Sequence, residues 1–281
     1  MPDVRKSILI TGASSGIGRA AAEYLSSQGF HVYAGARGGG SLAQLGTIPN
    51  VTPVKLDVTS PDDIAGVQET IQEKGTGLFG LVNNAGITRV GPLMDLDTQD
   101  LREQYEVNFF GVHEVTRAFF PLLLQARGRV VMISSDSGFF ATPFVGPYCS
   151  SKFALEGYSD SLRREITSHG VKVILIQPGR IATPIWDKTE KIIDPEKLEK
   201  SIFREEASAL AKYSIRKGKS DGLPPKAVAE TIHAALTLTN PKLRYIVAKN
   251  SLEYRLIKIL PAKWVDRMVA NKIKRLMTHA D

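Results

Sequence analysis

Tyr148 and Lys152 stand four positions apart, so a helix carrying them presents both on one face, about 6 Å apart along its axis. A phenol releases its proton only at a pH of about 10, too high for proton transfer near neutrality. A nearby ammonium favours the phenolate and lowers that value. The tyrosine then serves as donor to a carbonyl oxygen or acceptor from an alcohol. Taken alone, Tyr-x-x-x-Lys is also the spacing of an ordinary amphipathic helix pair. Ser135, thirteen residues before Tyr148, closes the apolar run Val130-Val131-Met132-Ile133-Ser134. Ser134 and Ser137 are its rivals for any role at that strand end.

Short runs rich in Val, Ile and Leu alternate with helical patterns. Strands are expected at 7–10, 31–34, 51–56, 80–83, 129–133, 171–176 and 244–247. They lack polar alternation, as strands covered on both faces do. Helices are expected at 18–28, 61–74, 99–125, 148–168 and 225–238. Such alternation implies right-handed crossovers and a doubly wound parallel sheet in one α/β domain over residues 1–281. Residues 184–224 interrupt the pattern and suit a lid over a substrate; residues 250–281 form a basic, amphipathic extension.

Directly after the first strand comes Thr11-Gly12-Ala13-Ser14-Ser15-Gly16-Ile17-Gly18, and then a helix. Glycines in such a turn let the backbone approach a pyrophosphate, and a helix N-terminus offers free N–H groups and partial positive charge. The spacing Gly-x-x-x-Gly-x-Gly differs from the commoner G-x-G-x-x-G. It resembles the cofactor motif of the short-chain dehydrogenase/reductase family. Asn83-Asn84-Ala85-Gly86, Tyr148-Cys149-Ser150-Ser151-Lys152, and Pro178-Gly179 followed by Thr183 resemble three further motifs of that family, in family order.

The resemblance implies a Rossmann-type sheet of about seven strands and hydride transfer between a nicotinamide and a carbonyl or alcohol. It gives Ser135 the task of polarising the substrate oxygen and Tyr148 that of proton donor. Lys152 tunes Tyr148 and grips the nicotinamide ribose, and Asn108 holds a water that passes protons through the lysine. Gly12, Ser14, Ser15, Gly16, Ile17, Gly18, Val58, Asn84, Ala85, Gly86, Pro178, Gly179, Ile181 and Thr183 would line the cofactor site with Tyr148 and Lys152. Asp57 would meet the adenine edge, although a turn aspartate reads the same way. An acid at the end of the second strand would repel a 2′-phosphate, whereas an arginine welcomes it. Ala36 stands at that position and Arg37 follows it, so the expected cofactor is NADP(H), with a solvated loop charge as the alternative for Arg37.

The expected substrate wall is apolar: Leu93, Phe140, Phe144 and Trp186, around Ser135 and Tyr148. That favours a hydrophobic ketone, aldehyde or secondary alcohol, and residues 139–157 resemble the steroid- and retinol-active branch of the family. A 3-oxoacyl thioester reductase and a catalytically weak NADP(H)-binding sensor are the competing functions. The net charge of +7 is uneven: residues 242–276 carry ten Lys/Arg against Glu253 and Asp266, a local +8, leaving −1 for the rest. The tail reads by default as packing on its own domain, with a membrane surface, the pocket mouth or a second subunit as other destinations. It carries no nucleic-acid reading element. No segment has the roughly 20 apolar residues of a membrane span. Cys149 is the single cysteine, so no internal disulfide forms, which fits a cytoplasmic protein. The histidines at 31, 113, 169, 233 and 279 lack ligand spacing, and no metal is expected. Family members frequently pair through helices, so a homo-oligomer is compatible.

Overall fold

The structure is a computed structural model that describes residues 6–75 and 77–278; the last three residues of the extension, His279 among them, lie outside it. The chain runs β1 (Ser7–Ile10), α1 (Gly16–Ser27), β2 (His31–Ala36), α2 (Gly39–Gly46), β3 (Val51–Lys55), α3 (Pro61–Gln72) and β4 (Gly80–Asn83). It continues with α4 (Thr98–Tyr105), α5 (Gly111–Gln125), β5 (Arg129–Ile133), α6 (Gly146–Ile166) and β6 (Lys172–Pro178). Last come α7 (Ile185–Ile192), α8 (Pro195–Glu199), α9 (Arg204–Asp221), α10 (Pro225–Thr237), β7 (Arg244–Val247), α11 (Ser251–Ile257) and α12 (Ala262–Thr278).

All seven strands are parallel, in the order β3-β2-β1-β4-β5-β6-β7. The expected doubly wound sheet is therefore the observed one. Alternate residues of each central strand feed two apolar layers: Ile8, Ile10, Val82, Val131 and Ile174 on one face, and Leu9, Leu81, Val130, Met132 and Leu175 on the other. The first layer receives Ala21, Ala22 and Leu25 of α1 and Val228 and Ile232 of α10; the second receives Phe119 of α5 and Leu155 of α6. Pro53 sits in β3, an edge strand, where its missing N–H breaks no ladder.

Several boundaries differ from the sequence expectations. Gly39 and Gly40 after Arg37 start α2, with Gly38 extended at the N-cap. The long helix expected at 99–125 contains a π turn, Glu106–Phe110, between α4 and α5, closed by the Gly111 N–H donating to the Glu106 carbonyl. The strands at 31–34 and 171–176 run two residues further, to Ala36 and Pro178. Sheet order reverses between β1 and β4, which opens a crevice at their C-terminal ends.

Candidate active site

Thr11 stitches the two crevice strands together. Its N–H donates to the Val82 carbonyl at 3.0 Å, and its hydroxyl accepts from the Asn84 and Ala85 N–H groups at 3.0 and 2.9 Å. The Asn84 side-chain amide donates to the Thr11 and Gly12 carbonyls at 2.9 and 3.1 Å. Gly12 has φ +67°, and a Cβ there would lie 2.8 Å from the Ala85 Cα, so a side chain is excluded both by conformation and by space. A Cβ on Gly18 would lie 2.4 Å from the Gly12 carbonyl oxygen, which is why α1 can start so close under the loop. At the N-terminus of α1, Ser15 makes no side-chain cap and the first turn holds no acid. The first-turn amides are thus left facing the crevice beside Ser14, Gly16 and Ile17, as an anionic phosphate requires. Thr183, from the start of the lid, lies against Gly16: its Cβ is 3.2 Å from where a Gly16 Cβ would stand. The cradle fits a dinucleotide.

At the outer end of the crevice, β2 finishes on the buried Ala36, and the Arg37 side chain is 71% exposed. Its guanidinium stands 3.8 Å from the Asp57 carboxylate, an exposed pairing that contributes little. The other Asp57 oxygen accepts from the Thr59 N–H and hydroxyl at 3.0 and 2.8 Å. Asp57 therefore holds a turn through this oxygen. Val58 is buried against Gly111, whose Cβ position lies 2.8 Å from a Val58 methyl.

The residues expected to do chemistry converge where β5 ends. Lys152 is buried and its ammonium donates to the Ile133 carbonyl at 2.8 Å, 5.7 Å from the centre of the Tyr148 ring. Burial pulls its ionisation down to about 8, with Glu156 acting the opposite way. The Ser135 hydroxyl stands beside the Tyr148 phenol oxygen. It also accepts from the Ser137 N–H at 3.1 Å and lies 3.5 Å from the Pro178 carbonyl. Burial pushes the Tyr148 phenol well above its ordinary value, and the Ser135 bond pulls it back only in part. Desolvation outweighs that bond, and the resting phenol is a protonated donor. Ser134, the rival serine, points away: its oxygen is buried without a partner, 2.7 Å from where a Gly138 Cβ would lie.

Asn108 lies in the π turn, fully buried. Its side chain accepts from the Ile87 N–H at 2.9 Å and donates to the Ile87 carbonyl at 3.1 Å, with the Ser151 hydroxyl at 3.4 Å. It clamps the strand that follows Asn84-Ala85-Gly86; the Gly86 Cβ position is 3.4 Å from its carbonyl oxygen. The extra residue of the π turn is what carries this amide inward.

Of the expected wall, Leu93 is half exposed and folds over Gly146, whose Cβ position is 2.6 Å from a Leu93 methyl. Phe144 has φ +63° and meets Phe203, at the foot of α9, with ring centres 6.2 Å apart. Phe140 is partly buried. Trp186 is differently employed. Its indole N–H donates to the carbonyl of the buried Ile181 at 2.7 Å, and its ring lies on Gly218, fastening α7 to α9. Gly218 leaves room for the indole inside the lid segment. Gly179 backs onto Ala248, with a Cβ position 3.0 Å from its methyl.

Two residues beside Ser135 escaped the sequence reading. Asp136 accepts from the Ser135 hydroxyl at 2.9 Å, and the Tyr254 hydroxyl of α11 stands beside the same carboxylate. Asp136 adjoins Ser135 in the chain and was open to notice; nothing in the sequence ties Tyr254 to it.

Residues 6–193 match the family model described as short chain dehydrogenase. The chain is 35% identical over 269 residues to an uncharacterized oxidoreductase of Escherichia coli, YbbO, covering 95% of this chain and 94% of that one. It is 34% identical over 280 residues to an NADPH-dependent 3-dehydrocapnine reductase of Ornithobacterium rhinotracheale, covering 95% and 97%. Among solved structures, a short chain dehydrogenase/reductase of Burkholderia phymatum in complex with NAD superposes with a TM-score of 0.78 at 25% identity, over 90% and 92% of the two chains.

Proposed function

The chain belongs to the short-chain dehydrogenase family and is an oxidoreductase acting between CH–OH and C=O, and on that premise we propose that it uses NADP(H) to interconvert a hydrophobic ketone or aldehyde and its alcohol. The observation that carries the reading is the meeting of the Ser135 hydroxyl and the protonated Tyr148 phenol above the buried Lys152. The nicotinamide, when bound, supplies or accepts the hydride. The chain's own groups handle the oxygen. Tyr148 donates its proton to the carbonyl oxygen as negative charge develops there, and Ser135 donates a second hydrogen bond to the same atom. Lys152 stands beneath the ring, where its charge stabilises the phenolate left behind. Asn108 holds the loop after β4 against α6. In the opposite direction the same groups take the alcohol proton.

NADP(H) is supported by an arginine free to swing at the end of β2, with no acid at Ala36 to repel a 2′-phosphate. The similar 3-dehydrocapnine reductase is NADPH-dependent by name. Gly12, Ser14, Ser15, Gly16, Ile17 and Gly18 would hold the pyrophosphate, Val58 and Asn84-Ala85-Gly86 the adenosine half, and Pro178, Gly179, Ile181 and Thr183 the nicotinamide side. Leu93, Phe140 and Phe144 supply an apolar wall, the basis for a steroid- or retinoid-like substrate class. No described helix is long and apolar enough to cross a membrane. We assign the reaction to the cytoplasm on the single free Cys149. The exposed Trp264 and Met268, among the lysines and arginines of α12, suit peripheral contact with an anionic membrane surface.

The test is NADPH consumption by the purified protein against a panel of steroid, retinoid and aryl ketones and aldehydes, with NADH in parallel. Turnover with NADPH and little with NADH is the expected result. A preference for NADH overturns the Arg37 argument. NADPH binding without turnover on any substrate of the panel moves the reading to the sensor.

A further inference from the structure

The C-terminal helix α11 reaches the loop that carries Ser135. The Tyr254 hydroxyl stands beside the Asp136 carboxylate, which accepts from the Ser135 and Ser137 hydroxyls at 2.9 and 3.5 Å. The Tyr254 ring meets Phe139 edge-on with centres 6.3 Å apart. Its hydroxyl also lies 3.5 Å from the Gly179 Cβ position, in the turn after β6. Next along, Lys258 covers the other side of the loop: its ammonium is 3.9 Å from the centre of the Phe139 ring and donates to the Gln177 side chain at 3.1 Å. Gln177 is buried and donates to Glu156 of α6 at 2.9 Å, which also pairs with Arg244 of β7 at 2.9 Å. One short helix is thus fastened to β6, α6 and the loop at 135–139.

The consequence falls on a single proton. Ser135 has one hydroxyl hydrogen and faces three acceptors, the Asp136 carboxylate at 2.9 Å, the Pro178 carbonyl at 3.5 Å and the phenol oxygen of Tyr148. Its lone pair is already fixed by the Ser137 N–H, so the rotamer is set and only the direction of the proton is open. A carboxylate satisfied by Tyr254 draws less on the serine; one deprived of Tyr254 holds the serine's proton for itself. Burial raises the Asp136 ionisation, which shows how poorly water replaces these partners.

Building on the proposed roles of Ser135 and Tyr148, we propose that Asp136 and Tyr254 are a positioning pair that directs the Ser135 hydroxyl, so that helix α11 is part of the catalytic apparatus. Neither residue touches the substrate; both act through Ser135.

The test is a double-mutant cycle on the full chain, with Tyr148→Phe as control in the same NADPH assay. Tyr254→Phe keeps the ring against Phe139 and removes only the hydroxyl. It is expected to lower kcat about fivefold while KM, NADPH affinity and Tm stay within about twofold or a degree or two of wild type. Added to Asp136→Ala it should bring no further loss, because Tyr254 acts through that carboxylate; if Asp136→Ala fails to fold, Asp136→Asn takes its place. Hydrogen exchange at the Ser137 amide, which donates to Ser135, should quicken in Tyr254→Phe whether or not a good substrate is in hand. Losses that multiply in the double variant, an unchanged kcat, or an unchanged Ser137 amide overturn the pair. Loss of turnover in Tyr148→Phe alongside any of these leaves the active-site reading standing; full turnover in Tyr148→Phe overturns that reading instead.

Discussion

At the end of β5, Lys152 and Ser135 are buried, and the Lys152 ammonium and Ser135 hydroxyl are each spent on neighbours within hydrogen-bond range. At the end of β2, Arg37 stands in solvent with one long ion pair to Asp57. The two rims of one crevice therefore work by different physics. Burial at the inner rim shifts ionisation by large amounts and fixes direction, which is what proton transfer needs. Exposure at the outer rim leaves a mobile guanidinium that gains only when a phosphate displaces water around it, which is what selecting between two dinucleotides needs. Substitutions inside should change the rate, and substitutions outside should change the choice of cofactor.

The sharpest test of that division is Tyr148→Phe. Removing the Tyr148 phenol proton should lower kcat by about a hundred- to ten-thousand-fold while NADPH binding, followed by its fluorescence, is retained. A variant that keeps its rate breaks the comparison at its root. At the outer rim, Arg37→Ala should raise the KM for NADPH roughly tenfold or more and leave kcat and the NADH parameters nearly unchanged. Should kcat fall together with affinity, the rims are not independent.

Lys152 ties the inner rim to stability. Its ionisation is lowered to about 8 from 10.5 in the unfolded chain, so below pH 8 the folded state bears the full penalty of a buried ammonium. As pH rises from about 8 to 10.5 the unfolded state holds the extra proton, and stability increases. Compared with Lys152→Met, the wild type should therefore gain up to roughly 3 kcal/mol between pH 7 and pH 10.5, measured by denaturant unfolding. A constant difference between the two proteins means the ammonium is better solvated than its burial indicates. The smallest effect is expected at Ser134. Its unpartnered buried hydroxyl destabilises, so Ser134→Ala should raise stability by about 1 kcal/mol and leave turnover untouched. A loss of turnover there would move the serine's role one residue back.

Residue pattern alone was enough for most of the frame. Both-face burial of parallel strands shows as uninterrupted Val/Ile/Leu runs, and six of the seven strands begin where those runs do; β6 starts one residue later. Gly12 and Gly18 were legible because a side chain is strained at φ +67° and a Cβ on either would press on backbone atoms at 2.8 and 2.4 Å. The π turn was not legible. A helix period of 3.6 with one inserted residue looks like a helix containing a poor helix former, and Asn108 was noticed for its type, not for the bulge that aims it. Likewise Gly38-Gly39-Gly40 reads as a breaker, yet packing of Leu45 into the core makes α2 there.

The sequence by itself determined the family, the sheet and the identity of the chemical groups, since these depend on residue type, order and spacing along the chain. Tertiary structure alone decided how those groups are set. Burial raises the phenol above its ordinary value, Trp186 is fastened to α9 because Gly218 faces it, and Asp136 meets Tyr254 because α11 folds back over β6. Each of these depends on solvent exclusion or on a contact between distant segments, and neither leaves a periodic or local trace in the order of residues.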